Sequence, residues 1–304
     1  MTQDPPTIVN ALTIDVEEYF HPNAMDAAVL PEQWDALLHR VEQNTHHVLD
    51  VLSEFNVRGT FFVLGWVAER WPQVVKEIAR RGHEVASHGF AHRLAYKLGP
   101  AGFRADVVRG KRLLEDCLGQ RVEGFRAASY SIVQSSLWAL DVLIEEGFSY
   151  DSSIFPVHHD IYGIPGFSRF PIKLRCRAGE IVEVPPSTVR WLGRNWPVAG
   201  GGYFRLLPYA VTRWAIRRIN GHDRRAAMVY LHPWEFDVDQ PRLRGSKTSQ
   251  LRQYTNLHKT EPRLRQLLSE FQFAPIREAM RGDVIAIERT HAAQTVAAAC
   301  ADVG

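Results

Sequence analysis

The chain has 304 residues, 45% of them hydrophobic, with 36 Lys and Arg against 34 Asp and Glu. That length can bury one large core or two modest ones, and the near-balance of charge makes no electrostatic case for nucleic acid. Cys117, Cys176 and Cys300 are odd in number and widely spaced, so they indicate neither a disulfide framework nor a cysteine metal site and read as free thiols of a reducing compartment.

In chain order, Ile8-Val9 and Ala11-Leu12-Thr13-Ile14 form a short buried strand that ends in the acidic run Asp15-Val16-Glu17-Glu18. Apolar residues at helical spacing predict a helix from Trp34 to Phe55, then a strand at Gly59–Val63 and a helix at Pro72–Arg81. A third strand, His83–Ser87, delivers His88. Beyond it the pattern predicts a helix at Phe103–Leu118, a strand at Val122–Arg126, a helix at Ser136–Gly147 and a strand at Tyr150-Asp151. The second half is looser, with strands expected at Ile181–Val184 and Met228–Leu231, and helices near Pro208–Ile219 and Leu264–Phe271. Gly200-Gly201-Gly202 reads as a tight loop. A strand at Val284–Ile287 is expected to close a single domain spanning 8–290, leaving 291–304 as a tail. Alternating strands and helices argue for a parallel α/β sheet. The Met-Thr-Gln-Asp-Pro-Pro start lacks a signal-peptide pattern and no run approaches ~18 apolar residues, so the expected location is cytoplasmic.

Every chemically interesting residue falls just after an expected strand, the end at which parallel α/β barrels assemble their sites. His88 and His92, four residues apart on a loop or first helical turn, can both reach one ion, although an isolated pair of this spacing is as readily a packing feature. Asp15 and Glu17 lie on the same side of an extended chain and Glu18 on the other. One carboxylate can ligate the ion while another takes a proton from water. Arg126 is expected to pair in bidentate fashion with that carboxylate cluster, Asp151 to orient a histidine, and His232, before the rigid Pro233-Trp234 turn, to protonate a leaving amine. Imidazole plus carboxylate suits Zn, and also Co, Ni or Mn. Trp191, Trp196, Tyr203, Phe204 and Trp234 suit either sugar stacking or core packing. The arginines Arg213, Arg217 and Arg218 suit a solvated helix face better than an anionic partner.

The ordered set Thr13-Ile14-Asp15, Ser87-His88-Gly89-Phe90-Ala91-His92, Phe125-Arg126-Ala127-Ala128-Ser129-Tyr130, Asp151-Ser152-Ser153 and Leu231-His232-Pro233-Trp234-Glu235 resembles the polysaccharide deacetylase family, carbohydrate esterase family 4, over roughly residues 8 to 290. Asp15–Phe20 together with Pro197–Arg205 resembles, more narrowly, the deacetylases of bacterial exopolysaccharide and exosortase loci. The resemblance implies a distorted (β/α) barrel of seven strands rather than eight and removal of N-acetyl groups from an amino sugar. It makes Asp15 the base, His88 and His92 metal ligands, Arg126 the partner of the base, and His232 the acid, with Asp151 in support. The family's first motif usually carries two adjacent aspartates, the second a ligand. Val16 stands there in this chain, so the third ligand passes to Glu17, with Glu18 as rival. Ala128 replaces a common proline. The implied partner is an N-acetylated glycan, which a cytoplasmic enzyme is expected to meet before export, on a lipid carrier at the inner membrane surface. Rival readings are an amidohydrolase acting on a cyclic amide or ureide, and a catalytically silent carbohydrate-binding protein.

Overall fold

A computed structural model describes residues 8–26, 28–198, 200–282 and 284. In chain order the elements are β1 (Val9–Val16), α1 (Val41–Glu54), β2 (Thr60–Val63), α2 (Gly65–Arg70), α3 (Pro72–Arg80), β3 (Glu84–Ser87), α4 (Ala95–Leu118), β4 (Gly124–Phe125), α5 (Trp138–Glu145) and β5 (Tyr150–Asp151). The second half adds β6 (Ile172–Cys176), β7 (Gly179–Glu183), β8 (Thr188–Trp191), β9 (Arg194–Pro197), α6 (Gly201–Leu206), α7 (Tyr209–Arg218), β10 (Met228–Leu231), α8 (Lys247–Tyr254), α9 (Thr260–Glu270), β11 (Gln272–Ala274) and α10 (Ile276–Ala279).

One sheet runs through both halves in the order β10-β1-β2-β3-β4-β5-β7-β6, with β11 also paired to β1. Seven strands, β10 through β7 along that path, are parallel. β6 is an antiparallel addition at the edge. No strand pairing closes the sheet among the described residues. The gap is bridged instead by a side chain, where Met228 N donates to Ser187 Oγ at 2.7 Å. The architecture is therefore the α/β, parallel-sheet distorted barrel expected from sequence.

Side-chain alternation sorts the strands into two faces. Ala11, Phe62, Ala86, Tyr150, Val184 and Met228 pack together as a small inner cluster. Leu12, Ile14, Phe61, Val63, Phe125, Val229 and Leu231 face outward and join Val48, Leu52, Ile78, Val107, Leu140 and Leu264 of the helices in the main core. The parallel register aligns Asp15 with Phe62, and Phe62 with Ala86, so Asp15 belongs to the inner row.

Several expected elements shift. The first helix begins at Val41, seven residues late, because the Glu18 carboxylate accepts the N–H groups of Arg40 and Val41 and fixes the helix start there. Pro31–Ala36 before it is 3-10 helix. The glycine run is only partly a loop: Gly200 bridges to Tyr230, and Gly201 begins α6. β6 and β11 escaped the periodicity reading. Among the expected elements, the Val284–Ile287 strand, Val284 apart, and the 291–304 tail lie outside the described residues. No helix among the described residues is long and apolar enough to cross a membrane.

Candidate active site

β1 carries Asp15 on its inner face and the chain continues through Glu17, so both carboxylates open onto one cavity of about 410 Å³, together with His92, Arg126 and His232. Glu18 points elsewhere, to the start of α1, with its Oε1 2.7 Å from Arg40 N and 2.9 Å from Val41 N. The alternation of an extended chain decides between the two glutamates.

His88 follows β3 and His92 closes the same loop. The φ of Gly89 (+75°) and of His92 (+49°) rule out a helical turn. Asp106 of α4 holds this loop by accepting Phe90 N at 2.7 Å and Ala91 N at 3.2 Å. Gly110 lets α4 approach it, since a Cβ there would sit 2.6 Å from the Gly89 carbonyl oxygen. His88 Nδ1 lies 2.7 Å from the Arg126 carbonyl. A carbonyl only accepts, so Nδ1 carries the proton and Nε2 presents a lone pair.

That Nε2 is 3.3 Å from Glu17 Oε1, and His92 Nε2 is 3.4 Å from the same oxygen. Glu17 Oε2 and His92 Nδ1 have no hydrogen-bond partner. Burial alone would raise the Glu17 carboxyl, but the neighbouring His92 and His232 hold it well below the usual range. An ionised oxygen facing an unprotonated imidazole nitrogen is a repulsive contact that a divalent cation relieves. The ligand atoms of Glu17, His88 and His92 lie within 4.8 Å of one another, and this N2O donor set fits Zn, Co, Ni or Mn.

Arg126 is wholly buried over the Phe62 ring, with its Cζ 4.0 Å from the centroid. Nη1 donates to Asp15 Oδ1 at 2.6 Å and to Thr13 Oγ1 at 2.9 Å. The pairing is not bidentate, because Nη2 is taken by Ser152 Oγ at 2.9 Å and Met228 Sδ at 3.1 Å. Asp15 Oδ2 is thereby left facing His232 Nε2, 3.9 Å away.

His232 Nε2 is also 3.6 Å from Glu17 Oε1, while Nδ1 is 2.6 Å from Glu235 Oε1. Burial disfavours its charged form, yet Glu17, Glu235 and Asp15 raise its pKa to about 9. Glu235 is held in turn by the buried Arg205, whose Nε donates to Oε2 at 2.6 Å. The remaining Arg205 donors reach the carbonyls of Arg252, Gln253 and Thr255 at 2.8–3.0 Å. The carboxylate that orients a histidine is therefore Glu235.

Asp151 does not meet a histidine. β5 turns it to the face opposite Ser152, where its Oδ1 accepts Ser153 Oγ at 2.5 Å, and Ser153 Oγ accepts Ala127 N at 2.7 Å. Burial raises its carboxyl to about 6 despite hydrogen bonds from Glu183 and Ser153. Its contribution is to brace the residue after Arg126. Of the aromatics, Tyr203 and Trp234 line the cavity and Phe204 is core, whereas Trp191 and Trp196 stand exposed on the β8–β9 hairpin. Glu235 was missed, although its place three residues after His232, a capping-box spacing, could have pointed to it. Asp106 gave no such signal.

Residues 32–142 match the model described as polysaccharide deacetylase, and residues 152–281 match a domain of unknown function, DUF3473. Over residues 32–142, rather more than a third of the chain, the sequence is thus similar to the polysaccharide deacetylases. Within this frame His88, His92 and Arg126 fall in the deacetylase match, whereas Arg205, His232 and Glu235 come from the second match, so both build one site. The chain is 28% identical over 120 residues to a peptidoglycan-N-acetylglucosamine deacetylase of Bacillus cereus, covering 36% of this chain and 44% of that one. It is 32% identical over 144 residues to a chitooligosaccharide deacetylase of a Bradyrhizobium species, covering 45% and 62%. The chain thus spans about half the length of these relatives. A Mycobacterium smegmatis structure assigned to the polysaccharide deacetylases superposes with a TM-score of 0.62 at 22% identity over 96% of both chains. Puue allantoinase superposes at 0.58 with 16% identity, over 92% of this chain and 93% of its own. Both likenesses establish the fold.

Proposed function

We propose that the protein is a metal-dependent hydrolase that removes N-acetyl groups from amino sugars of a bacterial exopolysaccharide or its lipid-linked precursor, as one catalytic unit spanning residues 8–290. The observation that carries this reading is the meeting of Glu17, His88 and His92 with the Asp15–Arg126 pair and His232 at one cavity. Glu17, His88 and His92 would hold the cation, which when bound supplies Lewis-acid polarisation of the acetamide carbonyl and a more acidic water.

The chain's own groups supply the proton traffic. Arg126 fixes Asp15 by its Oδ1, leaving Oδ2 as the base that takes a proton from water. His232, kept protonated by Glu17 and Glu235, stands on the other side of Asp15 and donates from Nε2 to the departing amine. Tyr203 and Trp234 on the cavity wall suit the faces of a sugar ring. The Asp15–Phe20 and Pro197–Arg205 motifs support assignment to the exopolysaccharide-associated deacetylases, acting on the cytoplasmic side of the membrane.

Acetate release from a panel of N-acetylated glycans, measured alongside elemental analysis of the protein, tests the reading. Metal-dependent acetate release is the expected result. Ring opening of a cyclic ureide without acetate release would move the protein to the amidohydrolases, and a metal-free protein that binds glycans without turnover would make it a binding protein.

A further inference from the structure

The β8–β9 hairpin stands apart from the main sheet. Its turn is Leu192-Gly193, with φ of +49° and +75°, the two left-handed positions of a tight hairpin turn that Asn-Gly commonly fills. Leucine is disfavoured there by its Cβ. At 78% exposure Leu192 is also the most exposed large hydrophobic residue of the described chain.

Trp191 and Trp196 flank it with rings 6.1 Å apart, 59% and 47% exposed. The register pairs Val189 with Trp196 and Trp191 with Arg194, so the two indoles share one face, and Arg190 pairs with Asn195 on the other. Asn195 Nδ2 donates to the Pro156 carbonyl at 2.9 Å, seating the hairpin on the loop that follows β5.

Between hairpin and loop lies a cavity of about 560 Å³ whose lining includes His158, Arg169, Arg190 and Arg194 and no Asp or Glu. Arg169 is neutralised by Asp223, but Arg190 and Arg194 have no acidic partner among the described residues. The same loop continues through His159 and Tyr162 into the wall of the catalytic cavity.

A bulky apolar residue in a strained conformation at the most solvated point of a hairpin contributes nothing to the folded state, and such local conflicts mark functional surface. We propose that this hairpin docks on an anionic bilayer, with Leu192, Trp191 and Trp196 entering the interfacial layer and Arg190 and Arg194 meeting lipid phosphates. Indole rings favour the headgroup level, and arginines beside an inserted apolar tip add attraction to anionic lipid. A sugar platform fits less well, because a leucine at the apex offers no stacking plane. The proposal deepens the lipid-linked substrate reading, and rests on it only for what is brought to the catalytic cavity.

The test is sedimentation of the full chain with vesicles of phosphatidylcholine, with and without phosphatidylglycerol, beside acetate release from a soluble oligomer. Binding should require phosphatidylglycerol and weaken with salt, and Arg190→Gln with Arg194→Gln should lower partition about thirtyfold. Leu192→Asn should lower vesicle binding while raising the melting temperature, since asparagine tolerates the turn's φ, and should leave soluble-oligomer turnover unchanged. Equal partition of parent and variants overturns the proposal. So does vesicle binding that survives tryptophan substitutions while retention on chitin oligomers is lost. Vesicle binding without any acetate release would remove the deacetylase reading and leave docking standing.

Discussion

Replacing Glu18 with glutamine is expected to stabilise the protein above neutral pH and to leave its metal content intact. Glu18 is fully buried, its Oε1 accepts two backbone N–H groups, and its Oε2 has no partner. Burial raises its carboxyl from 4.5 to about 7 even though those backbone bonds favour the charge. Between those two values the folded protein keeps a proton that the unfolded chain has released. Stability therefore falls as pH rises through that window and levels off above it. A gap of this size, at ~1.36 kcal/mol per pKa unit, amounts to about 3 kcal/mol at pH 8. Glutamine retains the amide oxygen for Arg40 and Val41 without the charge, as the protonated carboxyl does, so the weaker neutral hydrogen bonds are already contained in that figure. The expected gain is about 3 kcal/mol at about pH 8, or ~5 °C in Tm, shrinking to nothing near the acid end of the window. Denaturant titrations across that range, with the metal chelated, measure it. Parallel stability curves for parent and variant, or a variant less stable in alkali, would show that the carboxylate cap outweighs burial and would refute the reasoning.

Glu17→Gln should abolish stoichiometric metal binding, because it removes the oxygen shared by His88 and His92, and calorimetric zinc titration reads this directly. Asp15→Asn should keep the metal and lose turnover by about 10²–10⁴-fold, and equal loss of both would make Asp15 a ligand. Glu235→Gln removes a 2.6 Å charge-assisted bond to His232, so the alkaline limb of the pH–rate profile should move down by roughly one to two pH units. An unmoved limb would exclude His232 as the acid. Arg205→Met strands the buried Glu235 and three carbonyls and should cost about 3–5 kcal/mol in denaturant unfolding.

Much of the site was legible because strand-end chemistry is a local pattern: an apolar run followed by a carboxylate, histidine or arginine can be recognised one segment at a time. Asp15, His88, Arg126 and His232 all lie at such ends, and all four converge. Asp151 shares the pattern but not the face. A two-residue strand gives too little alternation to tell Tyr150 and Ser152 from Asp151, and only its pairing with β4 and β7 fixes the orientation. β11 and β6 were missed because three to five mixed residues carry no distinctive period.

The sequence alone determined the parallel α/β class, the paired histidines and the same-side placement of Asp15 and Glu17, because these follow from the repeat lengths of strand and helix. Tertiary structure decided what no window of residues contains: Glu18 capping α1 rather than the cavity, Arg126 dividing its hydrogen bonds among four partners, and Arg205 holding Glu235 against His232. Each is a contact between segments far apart in the chain, chosen by where burial leaves a charge or a backbone N–H in need of a partner.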